Sequence, residues 1–281
     1  MPVLRLNLVL VVVAAVQILA ACSQVPRQSD VLVPPAPAVY SGPEPLVVID
    51  DFGGHLWNIT PNIEQPSFVL YGDGTVIVQR ETASPSTYVT STLQSEVVAR
   101  LIADIDRAAL EAFDGEILSA RTASDQGSEV LHVRRDNGTY IKVVLYGWWS
   151  EPRPGAPGVA PLPDPINRAF CAVTHLELPP ATPWRPEQFE VYFQDDILNP
   201  RSTPVDWPVS WPTPQRESPD QLWQTVRLSD LDPTEVTATL GSPGDYLSKR
   251  IRIGPTLLAV RYRPIFPFEE KWRRVTGRAS E

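Results

Sequence analysis

Two stretches of alternating apolar residues, each doubling back at an Asp-Gly or Asn-Gly turn, flank one long amphipathic segment. Ser67 to Tyr71 and Thr75 to Gln79 enclose Gly72-Asp73-Gly74, and Glu129 to Arg134 and Tyr140 to Tyr146 enclose Asp136-Asn137-Gly138. Both turns supply residues that tolerate the left-handed backbone a tight hairpin needs. Between them, Val98, Leu101, Ile102, Ile105, Ala109 and Phe113 recur at helical spacing. Ser91 and Gln94 match a capping box, and Gly115 lies just past the end. The apolar stripe of such a helix needs a sheet to cover. The expected fold class is therefore α+β, an antiparallel sheet built from two β-hairpins around an amphipathic helix, with one face covered and the other facing solvent.

Leu46-Val47-Val48-Ile49 adds a strand candidate that stops at Asp50-Asp51-Phe52-Gly53-Gly54. Asp164 and Pro165 suit the N-cap and first turn of a short helix carrying Ile166, Phe170 and Val173. Near Leu178 to Pro183 the texture changes. The chain holds 31 prolines, and a residue that lacks a backbone donor interrupts both helices and ladders. The remainder reads as a proline- and tryptophan-rich α+β portion: strands at Phe189 to Phe193 and Leu222 to Leu228, a helical turn opened by Asp232-Pro233, and a last hairpin, Lys249 to Ile253 with Thr256 to Tyr262. Residues 46–178 and 179–281 are the expected portions, either two domains or one sheet completed by the second.

The first 21 residues have a different character. Arg5 precedes an almost unbroken Leu/Val/Ala run of roughly 15 residues, shorter than the ~20 a membrane-spanning helix needs, and the run closes on Leu19-Ala20-Ala21-Cys22. That tetrapeptide reads as a lipobox: Leu19, Ala20 and Ala21 recognised by the signal peptidase, residues 1–21 removed, and Cys22 acylated as the first mature residue. An ordinary signal peptide cut within the alanines is the plainer alternative. Residues 22–45, with six prolines, suit a semi-extended tether. Only Cys22 and Cys171 exist, so acylation of Cys22 leaves Cys171 without a disulfide partner.

A net charge of -9, together with export, argues against nucleic acid as a partner. The charge is uneven, because nine Lys and Arg against three Glu lie from Lys249 onward. Contact with anionic lipid or polymer and intramolecular pairing are the two explanations open to that end.

Motifs for metalloproteases, α/β-hydrolases and nucleotide enzymes are absent, and neither a cofactor nor a metal set is expected. His55, His132 and His175 are far apart in sequence, and Cys171 sits within a helix candidate. Asp50, Asp51 and Asp73 could supply calcium ligands or a hydrolytic carboxylate pair, but their glycine neighbours fit plain turns. Asp125, Asp195 and Asp196 add loop carboxylates without a motif. Trp148, Trp149, Trp207 and Trp211 are the candidate binding surface, since tryptophan beside proline can form a flat aromatic groove; covering a thin core is the competing role.

The lipobox, the Phe68 to Ile77 hairpin with its Tyr71-Gly72-Asp73-Gly74 turn, the following helix and a second hairpin preceded by Asp125 resemble a group of exported bacterial lipoproteins of actinobacterial type. The ending Arg263-Pro264-Ile265-Phe266-Pro267 is similar to the ending of that group. The resemblance implies architecture and location, and no chemistry. The expected function is a membrane-anchored lipoprotein on the extracytoplasmic face of a bacterial membrane, held by lipid at Cys22 and acting as a non-enzymatic structural or interaction module toward an envelope protein or polymer. A ligand-binding lipoprotein for peptide, glycan or lipid and an extracytoplasmic hydrolase with a site assembled from distant residues are the alternatives.

Overall fold

A computed structural model describes residues 44–52, 65–80, 87–120, 127–147, 161–195, 203–214, 224–241, 249–269 and 272. The architecture is α+β, with two mostly antiparallel sheets. In chain order come β1 (Pro45–Phe52), β2 (Gln65–Tyr71), β3 (Thr75–Arg80), β4 (Thr87–Thr92), α1 (Ser95–Ile105), α2 (Arg107–Leu110), a 3-10 turn (Glu111–Phe113), β5 (Ile117–Ser119), β6 (Ser128–Arg134) and β7 (Tyr140–Tyr146). There follow α3 (Asp164–Thr174), β8 (Thr182–Pro183), β9 (Gln188–Asp195), β10 (Val205–Asp206), β11 (Gln224–Ser229), α4 (Pro233–Leu240), β12 (Lys249–Ile253) and β13 (Thr256–Pro264).

The first sheet has eight strands in the order β5-β7-β6-β1-β2-β3-β4-β8. The two expected hairpins are β2-β3 and β6-β7, and β1 lies between them, antiparallel to both β2 and β6. Its run of apolar residues, with Val47 and Val48 both fully buried, reflects burial on both faces. Val47, Ile49, Phe68, Leu70, Leu131 and Val133 face a core completed by Leu101 and Ile105 of α1 and Phe170 of α3.

The helix differs from the sequence expectation at both ends. Strand β4 runs to Thr92, so Ser91 is a strand residue whose hydroxyl donates to the carbonyls of Pro179 and Pro180, at 3.4 Å each, and it caps nothing. Gln94 occupies the N-cap without a side-chain bond. The expected continuous helix is broken at Asp106, which adopts a left-handed backbone with φ 49° and accepts from the Ala109 amide through its carboxylate. The break turns the apolar stripe so that Leu110, rather than Ala109, is fully buried. In α3, Pro163 takes the N-cap and Asp164 is already helical.

Gly74, at φ +86°, closes the β2-β3 turn, and a Cβ there would lie 2.5 Å from the Leu93 carbonyl oxygen. The Leu93 amide donates to Gly74 O at 2.9 Å, which holds the two backbones close. Gly74→Ala is therefore expected to lower stability by about 1–3 kcal/mol, read as a fall in the urea midpoint without a change in slope.

The expectation of a solvent-facing second side is overturned. Val48, Val69, Tyr71, Ile77, Tyr88 and Tyr140 line that side and pack against Phe266 and Trp272, beyond β13. The physical reason is a lack of polar-apolar alternation: β1, β2 and β3 carry apolar residues at odd and even positions alike, so leaving either face wet costs free energy.

The C-terminal portion builds its own five-stranded sheet, β10-β12-β13-β9-β11. Phe189, Val191, Phe193, Val260 and Tyr262 on one face meet Val236 and Leu240 of α4. Asp232 caps α4, accepting from the Thr234 amide at 2.8 Å. This portion also reaches the first sheet, through β8 paired with β4 and through the stretch after β13. No helix among the described residues is long and apolar enough to cross a membrane.

Candidate functional site

On β1 and β6 the register sets Val48 opposite His132 and Asp50 opposite Val130. Asp50 and His132 are therefore diagonal neighbours on the face turned away from α1 and α3, within reach for long side chains. His132 Nε2 lies 3.2 Å from Asp50 Oδ2, with side-chain exposures of 4% and 3%. Burial of both groups makes the pairing necessary, because an isolated buried charge or imidazole would lose its hydration without replacement. Asp50 Oδ1 and His132 Nδ1 are also buried and have no hydrogen-bond partner among the described residues. With the carboxylate at Nε2, a neutral ring carries its proton there and presents Nδ1 as an acceptor. Trp272, fully buried, lies against the imidazole with ring centroids 5.7 Å apart.

One residue along the same ladder, Asp51 stands directly opposite Glu129. Burial, and then the nearby Asp51 carboxylate, push the Glu129 carboxyl up to about 9. Two acids side by side cannot both ionise cheaply at low solvent exposure, so Glu129 keeps its proton at neutral pH. Tyr88, on β4, is also pushed well above the ordinary range for a phenol, by burial first; its hydroxyl donates to Pro66 O at 2.8 Å. Side chains alternate along a strand, so this end of the β1-β6 ladder carries the Asp50-His132 pair on one face and the protonated Glu129 with Asp51 on the other, the α1 and α3 side, and the two are not one assembled site.

A second buried polar cluster links β9 and β13 to Glu269, in the stretch after β13. Arg263, 3% exposed, meets Glu190 Oε2 through Nη2 at 2.6 Å and through Nε at 3.1 Å, and Glu269 Oε1 through Nη1 at 2.6 Å. Arg263 Nε also lies 3.1 Å from the Tyr192 hydroxyl, which donates to Glu190. Arg252 pairs with Asp206 at 3.1 Å, and Lys249 Nζ reaches the last carbonyls of α4 at Ala238 and Thr239. Of the nine Lys and Arg from Lys249 onward, Lys249, Arg252 and Arg263 thus have partners within the fold.

The other sequence candidates are not gathered at this site. Asp73 lies in the β2-β3 turn at the opposite end of β1, where its carboxylate accepts from the Thr75 amide at 2.9 Å; the grouping of Asp50, Asp51 and Asp73 is not formed. Asp50 and Asp51 are themselves strand residues of β1 rather than turn residues. Cys171 and His175 belong to the α3 side of the sheet, with His175 Nδ1 2.9 Å from Cys171 O. Asp195 ends β9. The proposed binding pair Trp207 and Trp211 is a correction: they are 7% and 3% exposed, packed edge to face 5.0 Å apart beneath the second sheet. Their indole N–H groups donate to Pro212 O and Glu235 Oε1. Burial of large aromatic area outweighs an exposed groove where regular structure is sparse. Cys22 with Leu19, Ala20 and Ala21, together with His55, Asp125, Trp148, Trp149 and Asp196, lies outside the described residues. Among the described residues no three His, Cys, Asp or Glu side chains are grouped to hold a metal.

The Asp50-His132 pair was hidden from sequence reading, since the two residues are 82 positions apart and meet only through strand register. The available signal was a pair of aspartates continuing an all-apolar strand, where a buried acid requires a partner. Searches against models of protein families, among curated proteins and among solved structures find no match to this chain.

Proposed function

We propose that this chain is a lipoprotein of a bacterial envelope, anchored to the membrane through Cys22 and acting as a structural or interaction module on the extracytoplasmic face. The observation that carries the reading is Leu19-Ala20-Ala21-Cys22 at the end of a short hydrophobic run. Each buried methylene of an acyl chain contributes about 0.8 kcal/mol, so a single chain holds marginally and two or three hold stably.

The fold suits such an attachment. Chain geometry lets the stretch from Cys22 to Glu44 extend roughly 80 Å at most. At Glu44 the folded body takes over: Arg134 Nη2 pairs with the Glu44 carboxylate at 2.5 Å, the Gly72 amide donates to Glu44 O at 3.1 Å, and the Tyr140 hydroxyl donates to Pro45 O at 2.8 Å. The next residues form β1, hydrogen-bonded on both sides, so a pull on the tether is received by an interior strand rather than by a peeling edge.

Cys22→Ala is expected to move essentially all of the protein from the membrane fraction to the soluble fraction and to abolish labelling by radioactive palmitate. Unchanged membrane retention in the variant would contradict the reading. A second reading, an extracytoplasmic hydrolase, is supported by one observation, the buried Asp50-His132 pair.

A further inference from the structure

We propose that Asn137 is a site of spontaneous covalent modification, which loses its side-chain amide to attack by the Gly138 backbone nitrogen and ends as aspartate or isoaspartate. This inference is independent of the lipid anchor.

The β6-β7 turn brings together the groups that this reaction uses. Asn137 is exposed. The Thr139 amide donates to Asn137 Oδ1 at 2.9 Å, and the Thr139 hydroxyl donates to the same oxygen at 2.7 Å. The side-chain nitrogen Nδ2 has no hydrogen-bond partner among the described residues. Gly138, at φ +85°, has no Cβ to shield its nitrogen from the neighbouring amide carbon. Asn137 is the one asparagine of the six that precedes glycine. Asn7, Asn58, Asn62 and Asn167 precede Leu8, Ile59, Ile63 and Arg168, and Asn199 precedes Pro200, which has no N–H to give up.

In the first step the Gly138 amide gives its proton to solvent base and its nitrogen bonds to Asn137 Cγ, so that negative charge develops on Oδ1. Collapse of this intermediate breaks the Cγ–Nδ2 bond, and the nitrogen leaves as ammonia with a proton from water, closing a five-membered succinimide. Water then opens the ring. Cleavage between the Gly138 nitrogen and Cγ gives aspartate, and cleavage between that nitrogen and the main-chain carbonyl carbon gives isoaspartate. One water enters, one ammonia leaves, and nothing is oxidised or reduced.

The fold acts on the first step in two opposed ways. The Gly138 amide donates to Arg135 O at 3.0 Å, a bond that is lost as the proton leaves. Against it stand the two Thr139 donors, already aimed at the oxygen on which charge develops. Hydrogen bonds to an ionised acceptor are roughly twice as strong as neutral ones, so two of them outweigh the one that is given up.

The test incubates the full chain at pH 7.4 and pH 9 and reads each asparagine by peptide mass, with isoaspartate separated from aspartate by chromatography. In the wild type Asn137 is expected to react ahead of Asn167, faster at the higher pH, and to yield both products. Thr139→Val removes the hydroxyl donor and is expected to slow the reaction about tenfold. Arg135, which also meets that hydroxyl, keeps Glu111, Asp114 and the Tyr140 carbonyl. Thr139→Ser keeps the donor and is expected to match the wild type. Wild-type Asn137 reacting no faster than Asn167, or giving aspartate with no isoaspartate, would overturn the inference. Faster reaction in Thr139→Val would overturn it too, since the Thr139 bonds would then guard the side chain. The first two outcomes are read on the wild type and do not depend on the variants folding.

Discussion

Arg263→Ala is expected to lower the free energy of unfolding by about 3–5 kcal/mol, the largest loss of any single substitution proposed for this fold. Arg263 is the cation between Glu190 and Glu269, and only 3% of it is exposed. Removing it leaves Glu269, also 3% exposed, and Glu190 without their shared cation. The cost arises from the charge left behind more than from the attraction lost. Arg263→Met with Glu269→Met should recover part of the loss, because it leaves one carboxylate, Glu190, without its cation where Arg263→Ala leaves both Glu190 and Glu269. Urea unfolding of the two single variants and the double variant measures the coupling. A loss under about 1 kcal/mol for Arg263→Ala would place the cluster among solvent-screened surface pairs.

Glu129 makes stability fall with rising pH. Its carboxyl is pushed from 4.5 up to about 9 in the fold, by burial first and then by Asp51. Between those values the native state holds a proton that the unfolded chain has released, so each step upward in pH favours unfolding; below 4.5 both states are protonated and the penalty is absent. Glu129→Gln stays neutral throughout and is expected to match the wild type at pH 4, then exceed it by at least about 1 kcal/mol at pH 8. Parallel stability curves for the two proteins from pH 4 to pH 8 would mean that Glu129 ionises normally.

The elements that could be read from sequence are those whose signals are local. The turns at Asp73-Gly74 and Asn137-Gly138 gave the β2-β3 and β6-β7 hairpins, since backbone conformation at those positions is set by two residues. The Asp232-Pro233 helix start was legible for the same reason. Ser91 was misleading because a capping-box pattern is also compatible with a strand end, and the pairing of β4 with β3 and β8 decided the matter through contacts distant in sequence. Asp106 gave no local warning that it would break the helix. Phe266 and Trp272 were harder still: the sequence around them has no period, and their places depend on apolar residues such as Val48 and Val69 on a sheet face about 200 residues earlier in the chain.

The candidate site divides along the same line. The sequence marks His132 as a strand residue and Asp50 as an acid at a strand end, but their meeting depends on the β1-β6 register. Trp207 and Trp211 stood out through composition alone, which registers aromatic area without saying which way it points. Leu19-Ala20-Ala21-Cys22, proposed as a lipobox, is the opposite case, a signal that would be complete within four residues and need no tertiary contact.

The most direct test of the proposed anchoring is therefore the intact mass of the mature N-terminal peptide from protein extracted with detergent. The expected result is a peptide beginning at Cys22 and heavier than its sequence by a diacylglyceryl group on the sulfur. A mature chain beginning at another residue, or an unmodified Cys22, would contradict the proposal.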